Sequence, residues 1–386
     1  MSTGIDERAL QRLTDEIRSD IDQRRYDGVN IMVARHGDVV LDETIGFAER
    51  ATGRVLARDD VFRVLSLTKG FTNAVVYRAL GEGKLRLSTR VVDLIPEFIG
   101  EDPFLAVRKD RINLVHLLTH RSGMAPTPDP GVGRERYGDP AAVIDGLTRV
   151  PVLYEPGAVL NYSPAINHAL MAEMARRAYG APTFRQLAHD LLFDPLGMHD
   201  TTFGLPQRLA ERAVPLKAYL PEGGFLGPSD IECLNDYITE DAVMPWVGSV
   251  STVTDVHTFA EFLRRRGEVD GEQLIPQAIL EQATTLQTGD MPNDLYATIA
   301  RARGWEIPKG NFGLGFSLSG HDNAPSFFGP FTSPRTHGNY GAGSSLFWVD
   351  PVSGITLSFL SAGVMDEGDN VARFEKISTL VACVAR

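Results

Sequence analysis

An apolar strand end that runs directly into a Ser-x-x-Lys helix start constrains this chain more than any other stretch. The pattern begins at Phe62, includes Ser66 and Lys69, and continues with apolar residues at helical spacing until Gly81. Lys69 follows one turn after Ser66 on the same predicted helix face, so its amine is expected near the serine hydroxyl. The N–H of Ser66 belongs to the unpaired first turn, where developing negative charge is stabilised. This short segment therefore predicts a nucleophile, a basic partner and one oxyanion donor.

The same spacing has a simpler interpretation, namely a serine N-cap followed by a surface lysine. At average composition, a chain of this length contains roughly one Ser-x-x-Lys by chance. Lysine is scarce here, and Ser66 and Lys69 form the single occurrence in the sequence. Other segments must therefore decide between the two interpretations.

Composition limits the classes of partner and substrate. The chain has 386 residues, enough for two or three domains, with 43% hydrophobic and 23% charged residues. A net charge of -12 without any Lys/Arg-rich run argues against nucleic acid or an acidic membrane surface as a partner and favours a small or neutral substrate. We expect no secretory signal, no membrane span and a cytoplasmic location, with Cys233 and Cys383 as free thiols. The sequence does not determine the oligomeric state.

Periodicity and turn residues divide the chain into three parts. An N-terminal helix, a β-hairpin around residues 36–38 and the nucleophile segment are predicted within residues 1–84. Residues 85–239 contain helical segments interrupted by proline and glycine. After residue 240 we expect antiparallel strands at 312–318, 344–349 and 355–360 and a helix at 370–385. Residues 1–84 and 240–386 are therefore predicted to form one discontinuous α/β sheet domain, and residues 85–239 a mainly helical domain.

A tyrosine precedes one of the predicted helices of the middle segment. Ser163 is a natural N-cap and Pro164 a natural first helical residue, so both have a structural explanation. That explanation does not extend to Tyr162, a phenol in the preceding loop. A tyrosine near a lysine can have its pKa lowered toward the range in which it accepts a proton. Tyr162 is therefore a candidate partner for the serine and lysine.

A glycine-rich segment at 335–344 alternates small and polar residues just before an apolar strand. His337, Asn339 and Gly341 share one face if the segment is extended. Glycines in a strand often mark the close approach of a ligand to the backbone, although a bulge or tight turn would also explain them. For His337, lining a pocket and an ordinary hydrogen-bonded position in a strand are about equally compatible with the pattern.

Taken together, these motifs resemble those of the serine β-lactamase-like superfamily, above all class C β-lactamases and family VIII carboxylesterases. Ser66-x-x-Lys69, Tyr162-Ser163 and the glycine-rich strand ending in Trp348-Val349-Asp350-Pro351 occur in the family's order and approximate spacing. Residues 117–123 resemble its LLTHxSG, residues 195–198 its PLGM and residues 248–252 its GGxxST. The resemblance covers residues 27–362. It implies an α+β, β-lactamase/transpeptidase-like fold: an antiparallel sheet flanked by terminal helices, a mainly helical domain, and the site in the cleft between them.

The resemblance also implies roles. Ser66 would be the acylated nucleophile, and Lys69 and Tyr162 would share the work of taking its proton and returning it to the leaving group. Backbone N–H groups of Ser66 and Ala342 would form the oxyanion hole. No cofactor or metal is implied. The implied substrate-binding residues are Asn339, Tyr340, Gly341, His337 and Trp246.

The register of the third motif is left open by the sequence. Counting back from Asp350-Pro351 places Asn339-Tyr340-Gly341 at the position of the lactamase Lys-Thr-Gly. A register with His337-Gly338-Asn339 at that position requires a longer connection, so we prefer the first. The motif has its glycine at the third position in Asn339-Tyr340-Gly341 and at the second position in His337-Gly338-Asn339.

Two departures from the β-lactamases bear on the substrate. Pro164 replaces the asparagine of Tyr-x-Asn, and neutral Asn339 replaces a lysine that can hold the β-lactam carboxylate. Losing one charge-assisted bond and one amide contact should cost on the order of a few kcal/mol in recognition of β-lactams.

These departures lead to a ranked set of functions. The expected function is hydrolysis of small-molecule esters, or amides, through an acyl-Ser66 intermediate. The first alternative is an acyltransferase that passes the acyl group to an alcohol or amine acceptor. Lower alternatives are a β-lactamase or D-aminopeptidase, and a non-catalytic binding protein.

Overall fold

The computed structural model describes residues 4–220, 226–321 and 324–385. The α-helices are α1 Glu7–Asp22, α2 Thr68–Gly81, α3 Val91–Leu94, α4 Leu114–Leu118, α5 Pro140–Leu147, α6 Ile166–Tyr179, α7 Phe184–Ala188, α8 Gln207–Ala210, α9 Pro228–Glu232, α10 Leu234–Tyr237, α11 Val253–Arg264, α12 Gln277–Ala283, α13 Asp294–Arg303 and α14 Glu367–Ala382. The strands are β1 Gly28–Arg35, β2 Asp38–Glu49, β3 Arg54–Val55, β4 Phe62–Arg63, β5 Thr202–Phe203, β6 Ala218–Tyr219, β7 Ser249–Ser251, β8 Glu268–Val269, β9 Glu272–Gln273, β10 Ser317–Leu318, β11 His337–Gly341, β12 Ser345–Asp350, β13 Ile355–Ala362 and β14 Val364–Met365.

The main sheet combines strands from both ends of the chain. Its seven strands have the order β10-β11-β12-β13-β1-β2-β3, and each neighbouring pair is antiparallel. The central pair joins the first strand to the last long one, with Gly28 opposite Ala362 and Arg35 opposite Ile355. The glycine-rich segment is thereby placed near one edge of the sheet, next to β12.

Alternation along the strands supplies two apolar faces. Ile31 of β1, Trp348 of β12 and Phe359 of β13 pack on one side with Phe374 of α14 and residues of α1. On the other side, Phe347 of β12 and its neighbours pack with helices α2 and α11 in the larger core. The sheet is therefore covered by helices on both faces, as predicted, and the fold is of the β-lactamase/transpeptidase-like α+β class.

A second, three-stranded sheet holds the segment that delivers the predicted nucleophile. Its order is β4-β7-β5, with Phe62 opposite Ser251 and Thr202 opposite Val250. The start of α2 is fixed to β7 because Thr68 Oγ1 and Ser249 Oγ lie 2.7 Å apart. The sheet thus joins residues from the nucleophile segment, the middle segment and the C-terminal segment.

Several predicted boundaries differ from the structure. The strand expected at 312–318 is limited to Ser317–Leu318, because Gly315 has φ +97° and Gly313 lies against the Ala283 carbonyl, where a Cβ would be 1.9 Å from the oxygen. Helix α6 begins at Ile166 with Ala165 at the N-cap position, so Ser163 and Pro164 precede the helix rather than starting it.

The strands β5 and β6 lie within the segment predicted to be helical and pair with β7 and β14. The division into domains 1–84 with 240–386 and 85–239 stays a prediction. None of the helices in the described residues is long and apolar enough to cross a membrane.

Candidate active site

Ser66 lies on a tight, conformationally unusual turn between β4 and α2. The turn Leu65–Leu67 is a 3-10 helix, and Leu65 just before the serine has φ +49°, a region that non-glycine residues seldom adopt. The preceding Val64 is tied down on two sides, because its N–H donates to the Ser249 carbonyl at 3.2 Å and its carbonyl accepts from Ser345 Oγ at 2.7 Å. The strained turn is therefore held by both sheets and places Ser66, half-buried, at the start of the helix.

Lys69 lies where the motif predicts, with its amine against the serine. Its Nζ lies 2.9 Å from Ser66 Oγ and donates to the Trp246 carbonyl, also at 2.9 Å. The side chain is 1% exposed, and burial lowers the pKa of Lys69 to about 7. Near neutral pH a substantial fraction of the amine is therefore unprotonated and able to accept a proton from Ser66 Oγ. The surface-lysine interpretation of the motif does not describe this structure.

Tyr162 completes a three-residue cluster from two distant segments. Its ring centroid lies 5.3 Å from Lys69 Nζ, and its hydroxyl interacts with the Ser66 side chain. Burial raises the pKa of Tyr162, and the hydrogen bond from Ser66 offsets only part of that rise. The expected lowering of the Tyr162 pKa by the lysine is therefore not found, because burial and, to a smaller extent, the charge of Glu367 raise this pKa. In this arrangement Lys69 is the stronger resting base, and Tyr162 is suited to relay a proton.

His120 is an uncharged histidine that packs against the Tyr162 ring. The His120 ring lies 4.7 Å from the Tyr162 ring, and its Nδ1 accepts the backbone N–H of Ser163 at 3.0 Å. Burial, and secondarily the charge of Lys69, lower the pKa of His120 to about 3, so this ring is uncharged at neutral pH. His120 has φ +54°. His120 lies in the segment that resembles LLTHxSG, and its contact with Tyr162 joins two segments that are too far apart in the chain for a local pattern to predict.

The third motif packs against the nucleophile turn through Gly341. A Cβ on Gly341 would lie 2.2 Å from the Val64 carbonyl oxygen and 3.0 Å from Leu65 Cβ, so only glycine allows β11 to approach this closely. Ala342 follows directly, beside the turn that carries Ser66. Asn339 is buried, and its amide donates to the Gly315 carbonyl at 3.3 Å rather than reaching outward as a cation would.

Two other predicted substrate-binding residues have contacts that do not involve the serine. His337 is buried with its ring 5.8 Å from Phe316, and burial lowers its pKa to about 4. Its Nδ1 is 3.0 Å from the Arg335 carbonyl. The Trp246 side chain is buried toward the helical segment, where it lines a separate cavity of about 810 Å³, and its carbonyl is the part that meets Lys69. Substrate binding by these two side chains stays a prediction.

A cavity of about 70 Å³ opens beside Tyr162, and its lining combines the predicted substrate-binding residue Tyr340 with residues that the sequence did not single out. It is lined by aromatic side chains, including Tyr296 and Tyr340, and both of these hydroxyls donate to Glu367 Oε1, at 3.0 Å and 2.5 Å. Burial raises the pKa of Glu367 to about 7. Glu367 begins α14, far from the three motifs, so no local signal points to it. Among the described residues, no cluster of His, Cys, Asp and Glu side chains could hold a metal ion.

Comparisons with known proteins agree with this fold. Esterase EstB from Burkholderia gladioli is 30% identical over 209 residues, which cover 49% of this chain and 50% of the esterase. A penicillin-binding protein homolog from Caulobacter crescentus superposes with a TM-score of 0.76 at 22% identity, covering 98% of this chain and 99% of that one. EstCE1, described as a hydrolase with promiscuous acyltransferase activity, superposes with a TM-score of 0.73 at 21% identity, covering 96% and 98%.

A family model settles the relationship that the motifs indicated. The model described as Beta-lactamase matches residues 11–380, nearly the whole chain. The structural matches cover the same extent and share the fold. This chain therefore belongs to the β-lactamase family of serine enzymes.

Proposed function

We propose that this enzyme hydrolyses carboxylic esters of small molecules through an acyl-enzyme formed on Ser66. The observation that carries the proposal is the 2.9 Å contact between Lys69 Nζ and Ser66 Oγ, made by an amine whose burial lowers its pKa to about 7. A weakly basic, desolvated amine in contact with a hydroxyl on a strained turn is suited to general-base activation of a nucleophile.

Acylation follows from the positions of three side chains. The neutral Lys69 amine takes the proton of Ser66 as Oγ bonds to the ester carbonyl carbon. The resulting oxyanion is stabilised by the N–H groups of Ser66 and Ala342, which lie at a helix start and beside the Gly341 contact. The proton then passes through Tyr162 to the departing alkoxide, the ester C–O bond breaks, and the alcohol leaves.

Deacylation reverses these proton transfers with water in place of the alcohol. A water molecule loses a proton to the Lys69–Tyr162 pair and attacks the acyl carbon. The second tetrahedral intermediate collapses, its bond to Ser66 Oγ breaks, and the proton held by the Lys69–Tyr162 pair passes to Ser66 Oγ as the carboxylic acid leaves. Every proton taken is returned, so the cycle needs no cofactor.

Active-site labelling combined with turnover tests the proposal. The wild-type enzyme should release p-nitrophenol from p-nitrophenyl butyrate and react with a fluorophosphonate, with the added mass on the peptide containing Ser66. Ser66→Ala should abolish both, whereas Ser88→Ala, at an exposed serine, should retain both. Turnover or labelling that survives in pure Ser66→Ala protein would remove Ser66 from the mechanism.

Acyl transfer is the second candidate, and the similarity to EstCE1 favours it over the remaining alternatives. The steps are identical until the acyl-enzyme forms, after which an alcohol or amine replaces water. Adding such acceptors to the esterase assay and measuring the ratio of transfer product to free acid distinguishes the two. Transfer should exceed hydrolysis at millimolar acceptor if acyl transfer is the physiological reaction. Nitrocefin and D-alanyl p-nitroanilide test the β-lactamase and D-aminopeptidase alternatives, which Pro164 and Asn339 disfavour.

A further inference from the structure

We propose that the aromatic cavity beside Tyr162 is a subsite for a cationic, ammonium-bearing substituent of the ester substrate, held by the aromatic residues that line it and attracted by the Glu367 carboxylate that lies behind Tyr296 and Tyr340. The inference rests on the proposed function, because Tyr162 both lines the cavity and interacts with Ser66. It adds a substrate class to that function.

The cavity lining is rich in aromatic rings, which can bind an alkylammonium cation. Phe327 and Tyr340 have ring centroids 4.4 Å apart, and Tyr296 lies 6.4 Å from Tyr340 and 6.5 Å from Phe327. Tyr162 and Phe312 extend the same aromatic wall, with centroids 6.3 Å apart. Aromatic faces carry negative partial charge and attract alkylammonium groups. An uncharged alkyl group would also fit such a wall, so the rings alone do not choose between them.

The Glu367 carboxylate behind the rings favours an ammonium group over an uncharged alkyl group. Glu367 Oε1 accepts hydrogen bonds from the hydroxyls of Tyr296 and Tyr340, which are both neutral donors. Both tyrosines line the cavity, and their hydroxyls bond to the same carboxylate oxygen. Burial destabilises the charged form of Glu367 more than the charge of Arg373 stabilises it, and an ammonium group in the cavity would offset that penalty.

Two nearby cations, Arg303 and Lys309, are paired with aspartates, and a third, Arg373, donates to uncharged groups. Arg303 pairs with Asp366 and Asp369, each at 2.7 Å, on either side of Glu367 in sequence. Lys309 on the cavity wall pairs with Asp290 at 2.6 Å. Arg373 acts on Glu367 electrostatically but donates to the Gly343 carbonyl at 3.1 Å and to Ser361 and Asn370.

The local charge pattern therefore leaves the Glu367 carboxylate to attract a substrate cation and to repel a substrate carboxylate. At pH 8 this carboxylate is mainly ionised, since its pKa is about 7.

The test compares isosteric esters that differ in one terminal group. Ethyl 6-aminohexanoate, ethyl heptanoate and monoethyl pimelate end in ammonium, methyl and carboxylate groups on the acyl side. The pair 6-aminohexyl acetate and heptyl acetate makes the comparison on the alcohol side. Acid release is followed at pH 8. We expect kcat/KM for the ammonium ester to exceed that of its methyl isostere by about fivefold or more in one series, with the carboxylate ester slowest.

Variants of the cavity residues and their carboxylate test whether the preference for the ammonium ester arises in this cavity. Glu367→Gln should reduce the ammonium-to-methyl ratio of kcat/KM by about fivefold to tenfold, and Tyr296→Leu should also reduce it. Asp369→Asn removes a charge from the same helix at a residue that faces Arg303 and should leave the ratio unchanged. If Glu367→Gln does not fold, the wild-type ratios and Tyr296→Leu still decide.

The possible failures are distinguishable. If one sample of the enzyme reacts with a fluorophosphonate while a second, unlabelled sample hydrolyses the methyl esters faster than the ammonium esters in both series, the subsite is overturned and the esterase proposal stays intact. An unchanged ratio in both variants would do the same. Absence of labelling and of all ester turnover would overturn the proposed function itself.

Discussion

Lys69 Nζ and the Trp246 carbonyl oxygen are 2.9 Å apart, and this contact fixes the amine at the serine. The carbonyl belongs to a segment 177 residues further along the chain, so the site is assembled only when the two segments fold together. Because the carbonyl is an uncharged acceptor, it orients the amine without restoring the solvation that a protonated lysine loses on burial. The same contact therefore positions the base and allows its pKa to remain low.

The first prediction concerns the pH dependence of acylation. Only the neutral amine can accept the proton of Ser66, so the acylation rate should rise with pH through about 7 and level off above that value. It should fall about tenfold for each pH unit below the midpoint. Stopped-flow measurement with an uncharged p-nitrophenyl ester avoids a direct charge effect of Glu367 on the substrate. A flat profile between pH 5 and 9 would contradict the assignment of Lys69 as base.

The second prediction isolates the hydroxyl of Tyr162. Tyr162→Phe keeps the ring that packs on His120 but removes the proton relay between Ser66 and the leaving group. We expect kcat for p-nitrophenyl butyrate to fall by about 100-fold or more, with little change in melting temperature. Tyr154→Phe, at an exposed tyrosine, is the matched control and should retain full activity. Wild-type kcat in Tyr162→Phe would show that the proton takes another route.

The sequence predicts the fold and the proximity of Ser66, Lys69 and Tyr162 because each motif encodes its own local structure. Ser66 and Lys69 are one helical turn apart, and the glycine at 341 marks a strand that must approach another backbone. Fold class and the α+β arrangement follow from the order of these motifs. The positive φ of Leu65 and the shortened strand at Ser317–Leu318 are set by tertiary contacts that periodicity does not contain.

Residues that act through distant contacts are the ones that sequence reasoning misses. Glu367 meets Tyr296 and Tyr340 across 71 and 27 residues of chain, and a single glutamate at a helix start has an adequate local explanation. Trp246 was expected to offer its side chain, yet its backbone carbonyl makes the important contact. Side-chain direction and desolvation decide these roles, and both depend on the completed fold.

The third prediction tests the approach of β11 to the nucleophile turn. A methyl group on Gly341 would lie 2.2 Å from the Val64 carbonyl oxygen and 2.4 Å from Ser345 Oγ, so Gly341→Ala must move the strand away. That movement separates the N–H groups of Ser66 and Ala342, and loss of one oxyanion donor costs about 100-fold to 1000-fold in kcat. In Gly227→Ala the nearest atom to the new methyl group is 3.5 Å away, so its kcat should be normal. Equal kcat in the two variants would argue against an oxyanion hole at Ala342.

The fourth prediction concerns the histidine behind Tyr162. His120→Ala leaves the buried N–H of Ser163 without its acceptor and should lower the free energy of unfolding by about 1–3 kcal/mol. His120→Asn should lower it less, because asparagine tolerates the positive φ of this position and carries an acceptor oxygen. Urea denaturation of both variants measures the difference. If the alanine variant were as stable as the asparagine variant, the hydrogen bond to Ser163 would have little energetic weight.

The fifth prediction links the buried amine to stability. The pKa of Lys69 is about 7 in the folded enzyme and about 10.4 in an unfolded chain. Between these values the unfolded state binds more protons, so this group makes the free energy of unfolding rise with pH, by at most about 1.4 kcal/mol per pH unit. Lys69→Met removes the titrating amine and should therefore flatten this rise, and at pH 7.5 it should unfold at higher urea concentration than the wild type.

Urea denaturation at pH 7.5, 8.5 and 9.5 measures both effects. Because Lys109 also titrates in this range, the quantity to compare is the difference in the free energy of unfolding between the two proteins. Parallel pH curves for wild type and Lys69→Met would mean that Lys69 is charged in the folded enzyme and that its role as a base is wrong.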